Sequence, residues 1–227
     1  MTVSIHQPNY LPWLGFFDKI KQSDKFVIFD NVQYPRSKGH FGNRNKIKIY
    51  NDSKWLTVPV EGKSEMKNFN QIKYKDTNWK EEHLRLIEQF YKKTTYFCIY
   101  FDDFKEILLK DYKSISHLSS ELIIWFLSKL NINTEIIYSS ELVDENITGA
   151  DRILAILKEL KATKYITGSG PGSMRYINEK DFKEAGIELE WQSYPHPRYR
   201  QINGEFIPYM NILDLLFNEG PNSIDRI

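Results

Sequence analysis

Cysteine is nearly absent from this chain of 227 residues: Cys98, between Phe97 and Ile99, stands alone. A lone thiol excludes an intrachain disulfide framework and any cysteine-built metal centre, and it is the usage expected of a cytoplasmic protein. An excess of charge of one sign is missing as well. With 31 Lys and Arg against 30 Asp and Glu, the formal net charge is +1, which excludes a polybasic arm or an acidic tail as the working part. Long apolar runs are also lacking. Leu122 to Leu127, the longest in the middle of the chain, is closed by Glu121 and Lys129, against the roughly 20 residues that a membrane span needs. An export signal is not expected: the first 17 residues carry no Lys, Arg, Asp or Glu, and Pro8 and Pro12 interrupt the apolar stretch. The 11 glycines and 9 prolines build no linker, and no repeat is visible, so one domain over residues 1–227 is expected. H-E-x-x-H, G-x-S-x-G, the kinase motifs and a His/Cys cluster are all missing, so no metal ligand is assigned and no cofactor is named.

What is present is a core. Hydrophobic residues make up 41% and aromatics 15%, enough for a chain of this size to hide roughly 70% of its unfolded surface. Val3-Ser4-Ile5 and Lys25 to Asp30 read as strands, with Leu11, Leu14, Phe17 and Ile20 at helical intervals between them, the layout of a parallel βαβ unit. His6 and Asp30 then fall at the carboxyl edge of the sheet. Lys46 to Tyr50 and Trp55 to Pro59 flank the polar cluster Asn51-Asp52-Ser53-Lys54 and read as a hairpin over about 46–60. Helices follow over about 77–130, with the Thr77 hydroxyl as an expected cap and Leu118, Leu122, Phe126 and Leu130 along one face. Asp102-Asp103 is expected to cap a helix. Strands at 135–138, 164–166 and 187–191, with a helix from Thr148 to Leu160 opened by Thr148 and Asp151 as a capping box, complete the pattern. The class is α/β, a Rossmann-like mostly parallel sheet with a hairpin and a helical insertion, in which ligands bind outside the carboxyl ends of the strands.

Four segments carry groups suited to chemistry. In His6-Gln7-Pro8-Asn9-Tyr10, an imidazole, two carboxamides and a phenol stand on a proline-stiffened loop, as ligand contact or as partners for backbone groups at a strand end. His6 is the natural acid or base there. The stretch from Asp30 to Lys48 holds Gln33, Tyr34, Arg36, Lys38, His40, Asn43, Arg44, Asn45 and Lys46; residues 1–50 carry eight basic residues against three acidic ones. That suits a phosphate with Arg44 as the fork, or else a solvated basic surface. Thr167-Gly168-Ser169-Gly170-Pro171-Gly172-Ser173 follows a strand and offers backbone amides to an anion at Ser169 and Gly170, yet it matches neither glycine fingerprint and an ordinary turn competes. Trp191 to Gln201 interleaves aromatics with Arg198 and Arg200, for packing on the sheet or for stacking of a sugar or nucleotide by Tyr199.

Taken together, Ile5 to Ile20 with its HQPNYLPWLGFFDK core, Phe29-Asp30 to Gln33, Asn43-Arg44-Asn45, and Phe206 to Gly220 with DLLFN resemble the WbqC-like family over nearly the whole chain. The resemblance implies a place in bacterial O-antigen or other surface-polysaccharide assembly, with aminoacyl or glycyl transfer to amino sugars suggested for some members. Carried over residue by residue, it marks His6, Gln7, Asn9, Tyr10, Asp30, Gln33, Asn43, Arg44, Asn45, Tyr199, Gln201, Asp214 and Asn218. The strand, Pro-containing loop and Leu14-Gly15 helix start are also similar in layout to the HIGH-type nucleotidylyltransferases, although Trp13, Leu14 and Phe16 stand where their histidines would be.

The expected activity is acyl or aminoacyl transfer to the amine of a nucleotide-linked amino sugar. His6 takes the amine proton, Asp30 is the second expected catalytic residue, Gln7 and Asn9 orient the sugar, and Arg44 grips the diphosphate. The donor is an activated amino acid, an aminoacyl-tRNA or an acyl-CoA. Nucleotide transfer from ATP or CTP, and a non-catalytic nucleotide-sugar-binding subunit, are the alternatives.

Overall fold

The computed structural model describes residues 1–35, 40–61, 66–144 and 146–227. The chain forms two compact units. The first contains Met1–Gln7, Asp18–Val32 and Asn133–Pro195; the second contains Pro8–Phe17, Gln33–Ile132 and His196–Ile227.

The first unit is built on five short strands: β1 (Thr2–His6), β2 (Lys25–Ile28), β5 (Glu135–Tyr138), β6 (Lys164–Thr167) and β7 (Glu188–Trp191). All pair in parallel, in the order β5-β2-β1-β6-β7. Parallel neighbours need crossovers, supplied here by α5 (Gly149–Glu159) between β5 and β6, and by the short α6 (Pro171–Tyr176) and α7 (Glu179–Glu184) between β6 and β7. Val3, Ile5, Val27, Ile156, Leu157, Tyr165, Phe182 and Ile187 form its core, with the Tyr165 and Phe182 rings stacked at 5.6 Å. From β1 the chain adds strands outward on one flank, then returns to add β6 and β7 on the other. The reversal point lies between β1 and β6.

In the second unit the hairpin of β3 (Arg44–Ile49) and β4 (Asp52–Thr57) accompanies α2 (Asn78–Tyr91), α3 (Phe97–Leu109), α4 (Ile115–Lys129) and α8 (Ile212–Glu219). Phe97 stacks on Phe101 at 4.4 Å and meets Phe217 of α8 at 5.2 Å. Leu118, Leu122, Phe126 and Leu130, the row expected along α4, are all buried. The helix α1 (Leu14–Lys21) contributes its first half to this unit and its second half to the other.

Three local expectations need correction. The second hairpin strand begins three residues earlier than the polar cluster suggested, at Asp52 instead of Trp55: Ile49 pairs directly with Asp52, because Tyr50 adopts a left-handed φ of 51° and makes the turn with Asn51. Thr77 and Thr148 precede their helices without a side-chain cap bond. At α2 the Asp76 carboxylate accepts from the Asn78 amide at 2.9 Å instead. Asp102 and Asp103 lie inside α3 rather than at its start, and Asp103 pairs with Lys129 at 2.7 Å.

Candidate functional site

In the first unit the carboxyl ends of the strands bring together segments far apart in sequence. Register pairs His6 with Ile28 and Ser4 with Ile166, so His6-Gln7 leaves β1 beside the loop Gly168-Ser169-Gly170 that leaves β6. This is the flank of the sheet's reversal point, where open α/β sheets bind ligands. Ser169 and Gly170 are exposed. Cβ atoms added at Gly170 or Gly172 would meet nothing within 4 Å, and neither residue has a positive φ; neither packing nor backbone strain demands glycine there.

The half-buried His6 sets Nδ1 2.9 Å from the Gln7 carbonyl. Burial first, and then the neighbouring Lys19 ammonium, lower its pKa to about 3. A neutral imidazole facing a carbonyl through Nδ1 must donate from it, which leaves Nε2 as the basic nitrogen. Lys19 is 2% exposed. Its Nζ donates to the Ile5 carbonyl at 3.4 Å, no carboxylate among the described residues pairs with it, and burial brings its pKa down to about 7. Its helix neighbour Asp18 accepts from Gln192 Nε2 at 2.6 Å, and the Tyr194 hydroxyl is pushed up by burial and by Asp18.

Asp30 is spent on architecture. Its carboxylate accepts from Ser139 Oγ at 3.0 Å, the Ser140 amide at 3.0 Å and Ser140 Oγ at 2.7 Å, which fastens the exit of β5 to that of β2. Those donors reach both carboxylate oxygens, and Ser139 and Ser140 were no part of the sequence-based site.

In the second unit several marked side chains are likewise internal fasteners. Asn43 Nδ2 donates to the Val58 carbonyl at 2.7 Å, and Asn45 Nδ2 donates to the Leu11 carbonyl at 2.5 Å; both are buried, and each satisfies a backbone carbonyl. Leu11 has a left-handed φ of 48°, and the Asn45 bond holds that turn. Tyr10 is a core residue whose hydroxyl lies 2.9 Å from His83 Nδ1. Burial brings His83 down to about 4, a bond to the Thr57 backbone working against it, so His83 is neutral and its Nδ1 accepts the hydrogen bond from the Tyr10 hydroxyl. Gln33 is exposed and bridges to Asn68. Asn9 is 6% exposed. Arg44 lies over the Trp55 ring at 4.2 Å. Arg36 and Lys38 lie outside the described residues. His6 belongs to the first unit and Arg44 to the second.

The C-terminal marked residues meet in one knot. Asp214, 1% exposed, accepts from Tyr91 at 2.8 Å, Tyr199 at 2.7 Å and Gln201 Nε2 at 2.8 Å. Asn218 Nδ2 donates back to the Asp214 carbonyl at 2.7 Å. Burial raises the Asp214 carboxyl; the three donors and Lys48 oppose it. Lys48 Nζ in turn donates to the carbonyls of Ile202 and Asn203 at 2.7 and 2.6 Å. These polar atoms face one another, and the buried Tyr199 ring packs against Phe206, so Tyr199, Gln201, Asp214 and Asn218 tie the C-terminal segment to the hairpin and α2. Sequence reasoning missed Tyr91, the centre's donor from α2, and Lys19; only the interruption of α1's apolar face by a lysine signalled the latter.

Among the described residues no group of three or more His, Cys, Asp or Glu side chains could hold a metal ion, and no helix is long and apolar enough to cross a membrane. The model of the WbqC-like protein family matches residues 7–226. A protein of Mycobacterium tuberculosis (strain ATCC 25618 / H37Rv), "Uncharacterized protein Rv1507c", is 35% identical over 230 residues, covering 99% of this chain and 96% of that one. No solved structure matches.

Proposed function

This chain belongs to the WbqC-like protein family, and from that premise we propose that it is a transferase of bacterial surface-polysaccharide assembly, such as O-antigen formation, acting in the cytoplasm. The reaction is acyl or aminoacyl, including glycyl, transfer to the amine of a nucleotide-linked amino sugar. One observation carries the reading: a neutral imidazole, its tautomer set by the Gln7 carbonyl, stands with a buried ammonium at the reversal point of a parallel sheet.

The sugar amine attacks the activated carbonyl carbon of the donor, and the carbon–nitrogen bond forms. The proton lost from nitrogen passes to His6 Nε2, and the donor's leaving group departs with the electron pair of its former bond to the acyl carbon. An imidazole at about 3 is a weak base, but an anionic ligand arriving beside Lys19 and His6 raises it toward its ordinary range, since opposite charge favours the protonated form. Gln7, in the same unit as His6, orients the sugar. Activated amino acid, aminoacyl-tRNA and acyl-CoA all satisfy this chemistry as donors.

Incubating the protein with nucleotide-linked amino sugars and each donor class, with mass spectrometry of the product, tests the reading. N-acylated sugar nucleotide, lost by at least roughly 100-fold in His6→Ala, supports it. Full turnover in that variant overturns the assignment. The parallel order with a glycine-rich loop facing the β1 exit also favours a second reading, nucleotide transfer from ATP or CTP; pyrophosphate release from the triphosphate without acyl donor would select it.

A further inference from the structure

We propose that the opening between β1 and β6 at the carboxyl edge of the parallel sheet is a diphosphate site, with the Lys19 ammonium as its buried cation and the loop of residues 168–173 as its cradle. The inference rests on the nucleotide-linked-substrate reading and names what holds the charged half of that substrate.

Strand register places the opening. The β1–β6 ladder ends at Ser4 and Ile166, while β1 stays paired with β2 through His6 and β6 with β7 through Thr167. On the β6 side of β1, the Met1 carbonyl accepts from the Lys164 amide at 3.2 Å, and the two-residue alternation of a parallel ladder would bring the Ile5 carbonyl to the Gly168 amide. That bond is not made. The Ile5 carbonyl accepts from Lys19 Nζ instead, at 3.4 Å, and the half-buried Gly168 amide donates to no backbone carbonyl among the described residues. Lys19 thus sends its ammonium to the place where the sheet parts, close enough to His6 to act on its charge.

Two further features call for an anion. Lys19 is 2% exposed, and one long bond serves the three protons of its ammonium among the described residues. A buried cation so poorly compensated costs stability, and a phosphate oxygen would supply the missing acceptor and charge. The loop beside it offers amides without carboxylates, since residues 165–178 contain no Asp or Glu. Ser169 and Gly170 are exposed, and neither packing nor a positive φ accounts for Gly170 or Gly172, which leaves close approach of the backbone to a ligand as their use. Carboxylates of the surrounding elements are engaged elsewhere: Glu188 and Glu190 with Lys164 at 3.4 and 2.5 Å, Glu179 with Trp191 Nε1 at 2.8 Å, and Asp18 with Gln192. A row of amides with a point charge behind it matches the several oxygens of a diphosphate better than the pair of a carboxylate.

Calorimetric titration of the full chain with inorganic pyrophosphate, UDP, coenzyme A and acetate, alongside thermal unfolding, tests this. Pyrophosphate and UDP are expected to bind, and acetate not. Lys19→Met should weaken both by roughly 10-fold or more, the loss of one charge-assisted hydrogen bond, while melting at or above the temperature of the parent chain. Gly170→Val should weaken them at an unchanged melting temperature, because residue 170 is extended at φ −77° and ψ 160° and its Cβ would meet nothing within 4 Å. UDP and coenzyme A both carry a diphosphate. Tighter binding of UDP assigns the site to the sugar nucleotide; tighter binding of coenzyme A overturns that assignment in favour of the acyl donor. Absent binding, binding indifferent to either substitution, equal affinity for acetate, or a Lys19→Met chain that loses binding only by melting earlier overturns the site. Diphosphate binding through Lys19 with no acyl transfer from any donor would sink the transferase reading alone; acyl transfer with unchanged KM in Lys19→Met would sink the diphosphate site alone.

Discussion

Asp214 and Lys19 are buried ionisable groups with opposite surroundings, and each has a testable consequence. Three donors converge on the Asp214 carboxylate, so removing it leaves two buried phenols and a carboxamide without that acceptor and Lys48 without its nearby opposite charge. Asp214→Ala should cost about 3–5 kcal/mol, while Asp214→Asn, which keeps one acceptor oxygen, should cost less; urea denaturation orders the two. Lys19 has a carbonyl at 3.4 Å and no paired carboxylate among the described residues. Its folded pKa of about 7 lies below the ordinary 10.5, so between those values the unfolded chain binds more protons and stability rises with pH; below about 7 the full penalty applies. Lys19→Met should therefore stabilise by about 2–4 kcal/mol at pH 6, with the gain shrinking by pH 10. Equal gains at both pH values in urea titrations would contradict the burial argument. His6 and His83 act in the acid range: both are lowered by burial, so stability is complete above about pH 6.5 and is lost as pH falls toward 4 and 3. These partners were not legible in the sequence. DLLFN marked Asp214, but nothing local says that Tyr91, 123 positions away, holds it.

Among the elements, the helix starts separate side chains that cap from those that only resemble caps. Ser114 Oγ accepts from the His117 amide at 3.3 Å and opens α4, whereas Thr77 and Thr148 make no such bond. Ser114→Ala should cost about 1 kcal/mol, and Thr77→Ala and Thr148→Ala less than about 0.5 kcal/mol, as measured by thermal unfolding. Residue type does not separate the three: Thr77, at φ −109° and ψ −5°, lies in the helical region rather than the extended one usual for a cap, whereas Thr148 is extended like Ser114 and still makes no cap bond. Asn45 works at the same scale. It joins the hairpin to the Leu11 turn, and Asn45→Ala, which strands the Leu11 carbonyl and frees a left-handed leucine, should cost about 1–3 kcal/mol in the same assay. Apart from the start of β4, the strands were legible to within a residue or two, since β-branched and aromatic runs bounded by polar turns are a local signal. α3 was not: Phe97 to Leu109 is apolar on more than one face, and Asp102-Asp103 read as a boundary instead of as exposed positions on a helix.

At the level of the molecule, a formal charge of +1 on 227 residues leaves little repulsion between copies near neutrality. Solubility should pass through a minimum close to neutral pH and recover about two units away on either side, as light scattering across a buffer series would show. Amide exchange should be slowest in β1 and β2, whose residues Val3, Ile5, Phe26, Val27 and Ile28 are buried and flanked by paired strands on both sides.

The chain's own order of residues determined the α/β class, the parallel strands, the hairpin, the absence of a disulfide framework and the family, because each is written in periodicities and motifs that neighbours in sequence set. Only the tertiary structure decided which marked groups work on each other: Asp30 against Ser139 and Ser140, Asp214 against Tyr91 and Tyr199, Lys19 beside His6, Arg44 on Trp55. The reason is physical. A side chain's charge state and availability depend on how much water it loses and which donors surround it, and both are fixed by segments that folding brings from distant parts of the chain.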